Sequence, residues 1–433
     1  METITQKNTI KDKLISEFEA SKTSLFGNPE LRDLAIENFS KMGVPSRKQE
    51  EYRYLNMDML LKAEFAVGTD KTIHDAAIEK LSFLKNAILV VICNGKFSET
   101  ASRINDLPKG LTICGLSEAS KKYFSVFDSH FCAYADSTSD SFIAMNTALS
   151  GDGVFVHVEK SAVIEKPVHI IHVGSVSENS ILNFRNLIVA EENAQLTVVE
   201  SYSVVETTSK LFNNTLTEII VSENANVDHY KVQDEGDAGH SVNTTQVIQK
   251  KSSVFSTHTF TLSGALVRNN LNIVLDAEHI ESHLNGLYLT KGTQVIDNHT
   301  LVDHRKPNCN SNELYKGIIE DKSSATFNGK IYVRKDAQKT NAFQSNKNIL
   351  LSDDGTINTK PQLEIYADDV KCSHGTSTGK LDEEKIFYLR ARGLSEITAK
   401  KMLMHAFASE VVDTVKIEEL REYVEAQITN RFE

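Results

Sequence analysis

The sequence predicts a mainly β fold, in which a right-handed parallel β-helix lies between α-helical regions. From about Ile88 to Asp369, short runs rich in Val, Ile, Thr and Phe alternate with turns rich in Asn, Asp, Gly and Ser. Such runs are typical of strands of about 4–8 residues, and we expect no helices between them. The two end regions instead repeat apolar residues at helical spacing.

A weak repeat within the β region indicates a solenoid. The segments Glu192–Leu196 and Glu223–Val227 resemble each other, and a small residue recurs at positions 162, 194, 225 and 253, in steps of 32, 31 and 28 residues. Each copy lies between two short apolar runs, as expected for a turn that occurs once per coil. Asn-Gly and Asp-Gly pairs, which mark tight hairpins, are few for so long a β region. The sequence therefore favours parallel coils over a sandwich or barrel.

Residues 337–348, with the sequence AQKTNAFQSNKN, have two interpretations. Asn and Gln side chains that stack from coil to coil can hydrogen-bond to each other, as amide ladders do in cross-β stacks. The alternative is a polar loop.

The pattern divides the chain into three predicted domains: an N-terminal helical domain over residues 1–85, the β-helix core over 86–378 and a C-terminal helical domain over 379–433. In the C-terminal domain, Asp382 and Ser395 are predicted N-caps of two helices, and Gly393 ends the first. The second helix is predicted to bury one face, which consists of Ile397, Met402, Leu403, Ala406 and Phe407.

Composition and charge exclude several function classes. The net charge is −12, whereas a nucleic-acid-binding protein needs a basic footprint. No apolar run approaches the ~18 residues that a membrane span needs, and the N-terminal residues lack an apolar signal core. The five cysteines are widely spread and include no Cys-x-x-Cys pair, so neither a disulfide framework nor a zinc finger is expected. These features predict a cytoplasmic protein with free thiols.

Two regions of the chain carry a specific resemblance. The strongest block is Pro361–Gly375, with the sequence PQLEIYADDVKCSHG, followed by Phe387–Gly393, FYLRARG. Near the other end, Ser46–Tyr54 reads SRKQEEYRY. These blocks closely resemble the SufB/SufD family of the SUF iron–sulfur cluster assembly system, although Tyr52 stands where the family usually has Trp. The middle of the chain matches only in its β-rich texture.

Within that family the sequence resembles the SufD type. SufB-like chains usually carry a cysteine-rich N-terminal region, whereas the first cysteine here is Cys93. The resemblance implies a scaffold, not an enzyme, that pairs with a SufB-like subunit and docks a SufC-type ATPase. It also implies that a transient iron–sulfur cluster forms at the subunit interface, and that reduced flavin is a candidate participant in the complex. No cofactor is expected on this chain alone, and whether the isolated chain forms a homodimer stays open.

Cys372 and His374 are the candidate metal ligands of the resembling block. Alternate side chains of a strand share one face, and a thiolate and an imidazole suit iron or iron–sulfur species. Two ligands cannot hold a cluster, so the others must come across an interface. The alternative is that Cys372 is a small core residue and that His374 is structural.

The C-terminal helices are the predicted docking site for the ATPase, by the resemblance. Their candidate contact residues are Phe387, Tyr388, Leu389, Arg390, Arg392, Met402, Leu403 and Phe407. The alternative is that the apolar members are intramolecular core.

Two other functions remain as alternatives. A SufB-like scaffold that holds a cluster by itself would share the fold, but the clustered cysteines are missing. A β-helical carbohydrate enzyme would need paired carboxylates in a groove, and no acidic pair occurs in a recognisable frame.

Overall fold

A computed structural model describes residues 10–69 and 71–430 of the chain. Its core is a parallel β-helix in which each coil contributes one strand to each of two long sheets. The predicted fold, a parallel β-helix with helices at both ends of the chain, is therefore confirmed. Residues 1–9 of the predicted N-terminal domain and 431–433 of the predicted C-terminal domain lie outside the described residues.

The strands form two sheets, which we call sheet A and sheet B. In chain order they are β1 (Ala66–Val67), β2 (Ile88–Cys93), β3 (Lys96–Phe97), β4 (Leu111–Gly115), β5 (Val154–Val158), β6 (Val168–Gly174), β7 (Ser180–Ala190), β8 (Gln195–Val204), β9 (Leu211–Val221), β10 (Asn226–Asp234), β11 (Gly239–Gln249), β12 (Val254–Ser263), β13 (Leu266–Leu275), β14 (Glu281–Thr290), β15 (Val295–His304), β16 (Asn310–Ile319), β17 (Ser324–Val333), β18 (Asn341–Leu350), β19 (Thr356–Ile365) and β20 (Lys371–Gly379). Sheet A has the order β19-β17-β15-β13-β11-β9-β7-β5-β4, with β1 also pairing with β7, and sheet B has the order β20-β18-β16-β14-β12-β10-β8-β6-β2-β3. The strand pairs from β5/β6 to β19/β20 make eight coils.

The repeated turn predicted from sequence occurs at one corner of the coils. Asn193, Asn224 and Ser252 adopt left-handed backbone conformations with φ of 60°, 56° and 56°, which Asn tolerates better than most residues. Each is followed by a small buried residue, namely Ala194, Ala225 and Ser253. The same geometry continues at His279, Asn308 and Lys339. The backbone N–H of Asn193 donates to the carbonyl of Glu223 in the next coil at 2.9 Å, so the turns stack as the coils do.

Two expectations about the β region are wrong. The strands from β7 onward contain 9–11 residues instead of 4–8, because polar residues such as Asn213 and Asn214 are buried within β9 and do not mark turns. Residues 116–149 form three helices, although no helix was expected between the strands. Helix α7 is buried along its whole length, so its sequence has no polar face and no helical periodicity to detect.

Residues 341–348 of the Asn- and Gln-rich stretch lie in strand β18 and are therefore not a loop, whereas residues 337–340 form the preceding turn. Asn341 Nδ2 donates to Asn310 Oδ1 of the preceding coil at 2.8 Å, and Gln344 Nε2 donates to Glu313 Oε2 at 2.7 Å. Amide groups therefore do link successive coils.

Helices cover the outer faces of both sheets. They are α1 (Ile10–Ser21), α2 (Pro29–Met42), a 3-10 helix (Glu50–Tyr52), α3 (Asp58–Lys62), α4 (Asp75–Leu81), α5 (Leu116–Lys122), α6 (Phe124–His130), α7 (Ser141–Leu149), α8 (Glu383–Ala391), α9 (Glu396–Val412) and α10 (Glu418–Asn430). Helices α1, α2 and α7 pack in one apolar cluster with outward side chains of sheet A such as Ile181 and Phe212. Helices α9 and α10 pack on sheet B against Tyr230, Phe260 and others.

The predicted starts of the C-terminal helices are confirmed. The Asp382 carboxylate accepts from the backbone N–H groups of Glu384 and Lys385, and Ser395 Oγ accepts from Thr398 N–H. Each such cap satisfies backbone N–H groups that have no partner within the helix and so stabilises its first turn. Gly393 follows α8 with φ of 92°, a conformation that favours glycine.

The predicted buried face of α9 is wrong. Ile397 is 65% exposed, Met402 is 48% exposed and Ala406 is also exposed. The helix packs on the sheet through a face rotated from the predicted one, which consists of Ala399, Met404, Ala408, Val411 and Val412. Helix α9 therefore packs on the sheet through one apolar face, while Ile397 and Met402 remain exposed on another and Leu403 and Phe407 are partly buried.

Candidate functional site at the open end of the β-helix

The last coil of the β-helix is uncovered. Strand β19 pairs only with β17, and β20 pairs only with β18, so each leaves one edge without a neighbouring strand in the described chain. Every residue of β20 except Cys372 is exposed. A Cβ atom added to Gly375 or Gly379 would meet no described atom within 4 Å. The other end differs, because β2 and β5 pair there with the antiparallel strands β3 and β4.

The strand register places Cys372 and His374 on the inward side of β20. Their partners on β18 are Ala342 and Gln344, both of which are buried inside the β-helix. Since side chains in register on parallel strands point the same way, the thiol and the imidazole both face the axis of the coil. They are on one face, as the spacing predicted, and they line the open end.

The two candidate ligands differ in environment. Cys372 is half-buried and packs with an apolar cluster that includes Ile331, Ala342 and Leu363. This burial raises the pKa of its thiol above the ordinary value. His374 is exposed. A soft metal species that reached the open end would therefore meet an exposed imidazole and a thiol that must lose its proton to bind.

The described residues contain no group of three or more His, Cys, Asp or Glu side chains placed to hold a metal ion. The donor atoms at the open end suit iron in type but are only two. The ligand roles of Cys372 and His374 thus stay predictions.

The other cysteines lie in packed surroundings. Cys114 is buried, Cys93 and Cys132 are partly buried within apolar clusters, and burial raises the pKa of each thiol, to about 12 for Cys114 and about 11 for Cys132. Cys309 is fully buried at the repeated turn, where its Sγ donates to the carbonyl of Ala277 at 3.1 Å.

The predicted docking residues fall into two groups. Phe387 and Tyr388 are 74% and 57% exposed, and Met402 is 48% exposed. Arg390 and Arg392 are exposed, and the Arg392 guanidinium lies 5.0 Å from the Tyr388 ring centre. The three others, Leu389, Leu403 and Phe407, are partly buried.

Phe407 faces the β-helix and not solvent. The ammonium of Lys316, on β16, lies 4.6 Å from its ring centre and donates to its carbonyl at 2.7 Å. The uncovered apolar surface of the C-terminal helices therefore consists of Phe387, Tyr388 and Met402, together with Ile397.

A buried charged group inside the β-helix was not found by sequence reasoning. Glu200, on β8, is fully buried and accepts from Asn186 Nδ2 at 2.8 Å, and its other oxygen lies 2.8 Å from His229 Nε2. Burial opposes its ionisation, but the hydrogen bonds from His172 and His229 outweigh it and hold the pKa of Glu200 well below its ordinary value. The sequence could have indicated this position, because alternate residues of a strand face the same side and Glu200 lies two residues after the inward-facing Val198.

Family comparisons agree with this architecture. A family model described as "SUF system FeS cluster assembly, SufBD core domain" matches residues 172–407, and one described as "SufBD protein N-terminal region" matches residues 19–170. The chain belongs to the SufBD family. It is thus an iron–sulfur cluster assembly protein of the SUF system.

Similar proteins come from bacteria and a plant. An iron–sulfur cluster assembly SufBD family protein of Synechocystis is 32% identical over 90% of this chain and 88% of its own length. The iron–sulfur cluster assembly protein SufD of Escherichia coli is 29% identical over 92% of this chain and 91% of its own length. The chloroplastic protein ABCI7 of Arabidopsis thaliana is 26% identical over 95% of this chain and 88% of its own length.

Among the described residues, no helix combines the length and the apolar composition that a membrane span requires.

Proposed function

We propose that this SufBD protein is a SufD-type scaffold subunit that pairs with a SufB-like subunit through the open end of its β-helix. The nascent iron–sulfur cluster forms at that interface, where Cys372 and His374 supply two ligands. A SufC-type ATPase docks on the C-terminal helices. The observation that carries the proposal is the uncovered last coil, with two inward metal-binding atom types and no covering element among the described residues.

The open end has the properties of a strand-pairing surface. The free edges of β19 and β20 present unpaired backbone N–H and C=O groups, which readily pair with a strand of another chain. Large apolar side chains surround these edges, since Phe343, Ile365 and Tyr366 are 44%, 39% and 58% exposed. A partner strand would satisfy the backbone groups and cover the apolar side chains together.

The incomplete ligand set supports a shared site. A cluster in a protein is usually held by four ligands, whereas this end offers one thiol and one imidazole. The remaining ligands are supplied by the facing subunit. The cluster is therefore cargo that leaves when the subunits separate, not a resident group of this chain.

The uncovered surface of the C-terminal helices supports ATPase docking. Phe387, Tyr388, Ile397 and Met402 give it an apolar centre, and exposed arginines lie around them, an arrangement typical of protein interfaces. Helix α9 of this surface is joined to β16 and β18 by Lys316, Lys347 and Glu410, so that a movement of the docked ATPase would reach the strands next to β20.

Three finer points belong to the same proposal. The chain acts in the cytoplasm as a scaffold and not as a free-standing enzyme. Reduced flavin takes part only in the assembled complex, because the sequence has no glycine-rich nucleotide loop. In the absence of SufB, the open end pairs with a second copy of the chain, which light scattering on the purified protein would detect as a dimer.

Co-expression with SufB-like and SufC-type partners tests the proposal. We expect one complex that contains all three subunits and accumulates iron and sulfide, measured by chemical analysis of the purified material together with the subunit ratio and bound flavin. Purification of this chain without either partner would contradict it. A complex that forms but carries normal clusters when both Cys372 and His374 are replaced by Ala would contradict the ligand assignment alone.

A further inference from the structure

A column of three inward polar residues leads to the open end of the β-helix. Glu313 on β16 is in register with Gln344 on β18, which is in register with His374 on β20. Glu313 and Gln344 are 5% and 3% exposed, so the column runs from the interior to the surface. Successive members are one strand spacing apart, about 4.8 Å.

Only one of the two polar groups of the Gln344 amide has a hydrogen-bond partner among the described residues. Its Nε2 donates to Glu313 Oε2 at 2.7 Å, whereas its Oε1 is buried and has no hydrogen-bond partner among the described residues. The amide lies against Gly329 of sheet A, where an added Cβ would come within 2.2 Å of Nε2. The absence of a side chain at Gly329 thus gives the amide its space.

The orientation of this amide follows from the carboxyl group below it. Burial raises the pKa of Glu313 to about 7. Above that pH the carboxylate can only accept hydrogen bonds, so Gln344 must direct its NH₂ group toward Glu313. Its carbonyl oxygen is then the group left for another donor.

An unpaired buried acceptor is costly, and a donor is close. The imidazole of His374 is the next side chain in the column, at the same strand spacing that Gln344 already spans to reach Glu313. The ring is exposed, so packing does not fix its torsion angles. Histidines that bind metals usually donate their second ring N–H to an acceptor, which fixes the tautomer.

We propose that Gln344 Oε1 accepts the ring N–H of His374, and that Gln344, held by Glu313, is a positioning residue that leaves the second ring nitrogen unprotonated and directed to the open end. The chemical consequence is an imidazole preset to bind a metal species without first losing a proton at that nitrogen. The inference deepens the proposed function and rests on it for its purpose, but the hydrogen bond itself is a property of the isolated chain.

Nitrogen-15 NMR of the isolated, histidine-labelled protein tests the bond directly, at a pH at which the ring is neutral. We expect one tautomer of His374 to dominate, and Gln344→Met, which keeps the length of the side chain and removes the amide, to change the tautomer ratio about fivefold to tenfold. Asn341→Ala is the matched control, because it removes an amide from the same strand but in the column that leads to Lys371. It should leave the ratio unchanged.

The outcomes separate this inference from the proposed function. An unchanged tautomer ratio in Gln344→Met overturns the inference, whatever the role of His374. A changed ratio with undiminished iron and sulfide in the complex of the same variant leaves the bond standing and contradicts the ligand role. Should Gln344→Met fail to fold, Gln344→Asn replaces it, since its shorter side chain keeps the amide but cannot reach both neighbours.

Discussion

The ammonium of Lys316 lies 2.5 Å from a carboxylate oxygen of Glu410, and this ion pair joins strand β16 of the β-helix to helix α9. Lys316 is almost fully buried, whereas Glu410 is half exposed and also contacts Lys347. We therefore expect Glu410→Gln to lower the free energy of unfolding by about 1–2 kcal/mol, because a buried ammonium loses its charged partner but keeps the carbonyl of Phe407. Urea unfolding measures the change.

The matched control for this pair is Glu192→Gln. Glu192 lies 2.7 Å from Lys160, and both side chains are well exposed. Solvent screens such a pair, so the control should leave the free energy of unfolding nearly unchanged. Equal effects of the two substitutions would mean that α9 is not held by Lys316.

Replacement of His374 by Ala should lower the cluster content of the assembled complex by about 10–100-fold, the loss typical of a group in a metal shell. Folding should be unaffected, because the side chain is exposed. Iron and sulfide analysis of the complex measures the effect. Ser373→Ala is the control, since Ser373 lies on the same strand with its side chain on the opposite face. A variant complex with the full cluster content would assign a structural role to His374.

Double replacement of Phe387 and Tyr388 by Ala should weaken ATPase binding, because both side chains are exposed and would become buried at the interface. We expect a loss of at least about tenfold in affinity, measured by calorimetry with purified SufC-type protein. Phe124→Ala removes an equally exposed aromatic ring far along the chain, in α6, and should have no effect. Undiminished binding by the double variant would place the dock elsewhere.

Deletion of residues 381–433 would remove the proposed docking helices, and the sequence alone predicts that the β-helix would tolerate the loss. The structure predicts otherwise. Helices α9 and α10 cover Tyr230, Phe260, Leu287 and other apolar side chains on the outer face of sheet B. Their removal would expose this surface to water, and the truncated chain should aggregate on expression. A soluble, monomeric truncated protein would show that the cover is dispensable.

Buried histidines make the fold sensitive to acid. Burial lowers the pKa of His169 and His258 to about 3 and that of His304 to about 4. In the unfolded chain these rings bind protons below about pH 6.5, while the folded rings stay neutral. The free energy of unfolding is therefore unaffected by these rings above that pH and decreases as the pH falls below it. Each ring should contribute a slope of about 1.4 kcal/mol per pH unit between pH 6.5 and about 4.

The variant His304→Gln isolates one of these contributions. Between pH 6.5 and 5 its free energy of unfolding should fall by about 2 kcal/mol less than that of the unchanged chain. Urea unfolding at the two pH values measures the difference. Parallel curves for the two proteins would show that His304 is already accessible to protons in the folded state.

Sequence reasoning identified the β-helix, the repeated turn and the caps of α8 and α9 because these depend on local signals. Asn193, Asn224 and Ser252 show the backbone requirement of a single corner, and Asp382 and Ser395 each satisfy N–H groups within the next three residues. Such signals do not depend on the rest of the fold.

Burial in α9 and within the strands depends instead on distant partners. Met402 and Met404 are equally apolar, and only the position of sheet B decides which of them is buried. Glu200 and Glu313 look like surface residues of a strand, yet the coil closes around them. The candidate site could be placed on β20 from spacing. The residues in register with His374 on β16 and β18 lie 61 and 30 positions before it, and become its neighbours only through the strand pairing.

The attachment of α9 to β16 and β18 also fixes the distance from this helix to the open end of the β-helix. From Lys316 to β20 there are two strand steps, about 10 Å in all. The number of coils after the attachment point would therefore fix the distance between the proposed ATPase dock and the proposed pairing edge. A coil inserted between β18 and β20 would increase that separation by about 4.8 Å. The number of coils between β16 and β20 should therefore be constant across this protein family.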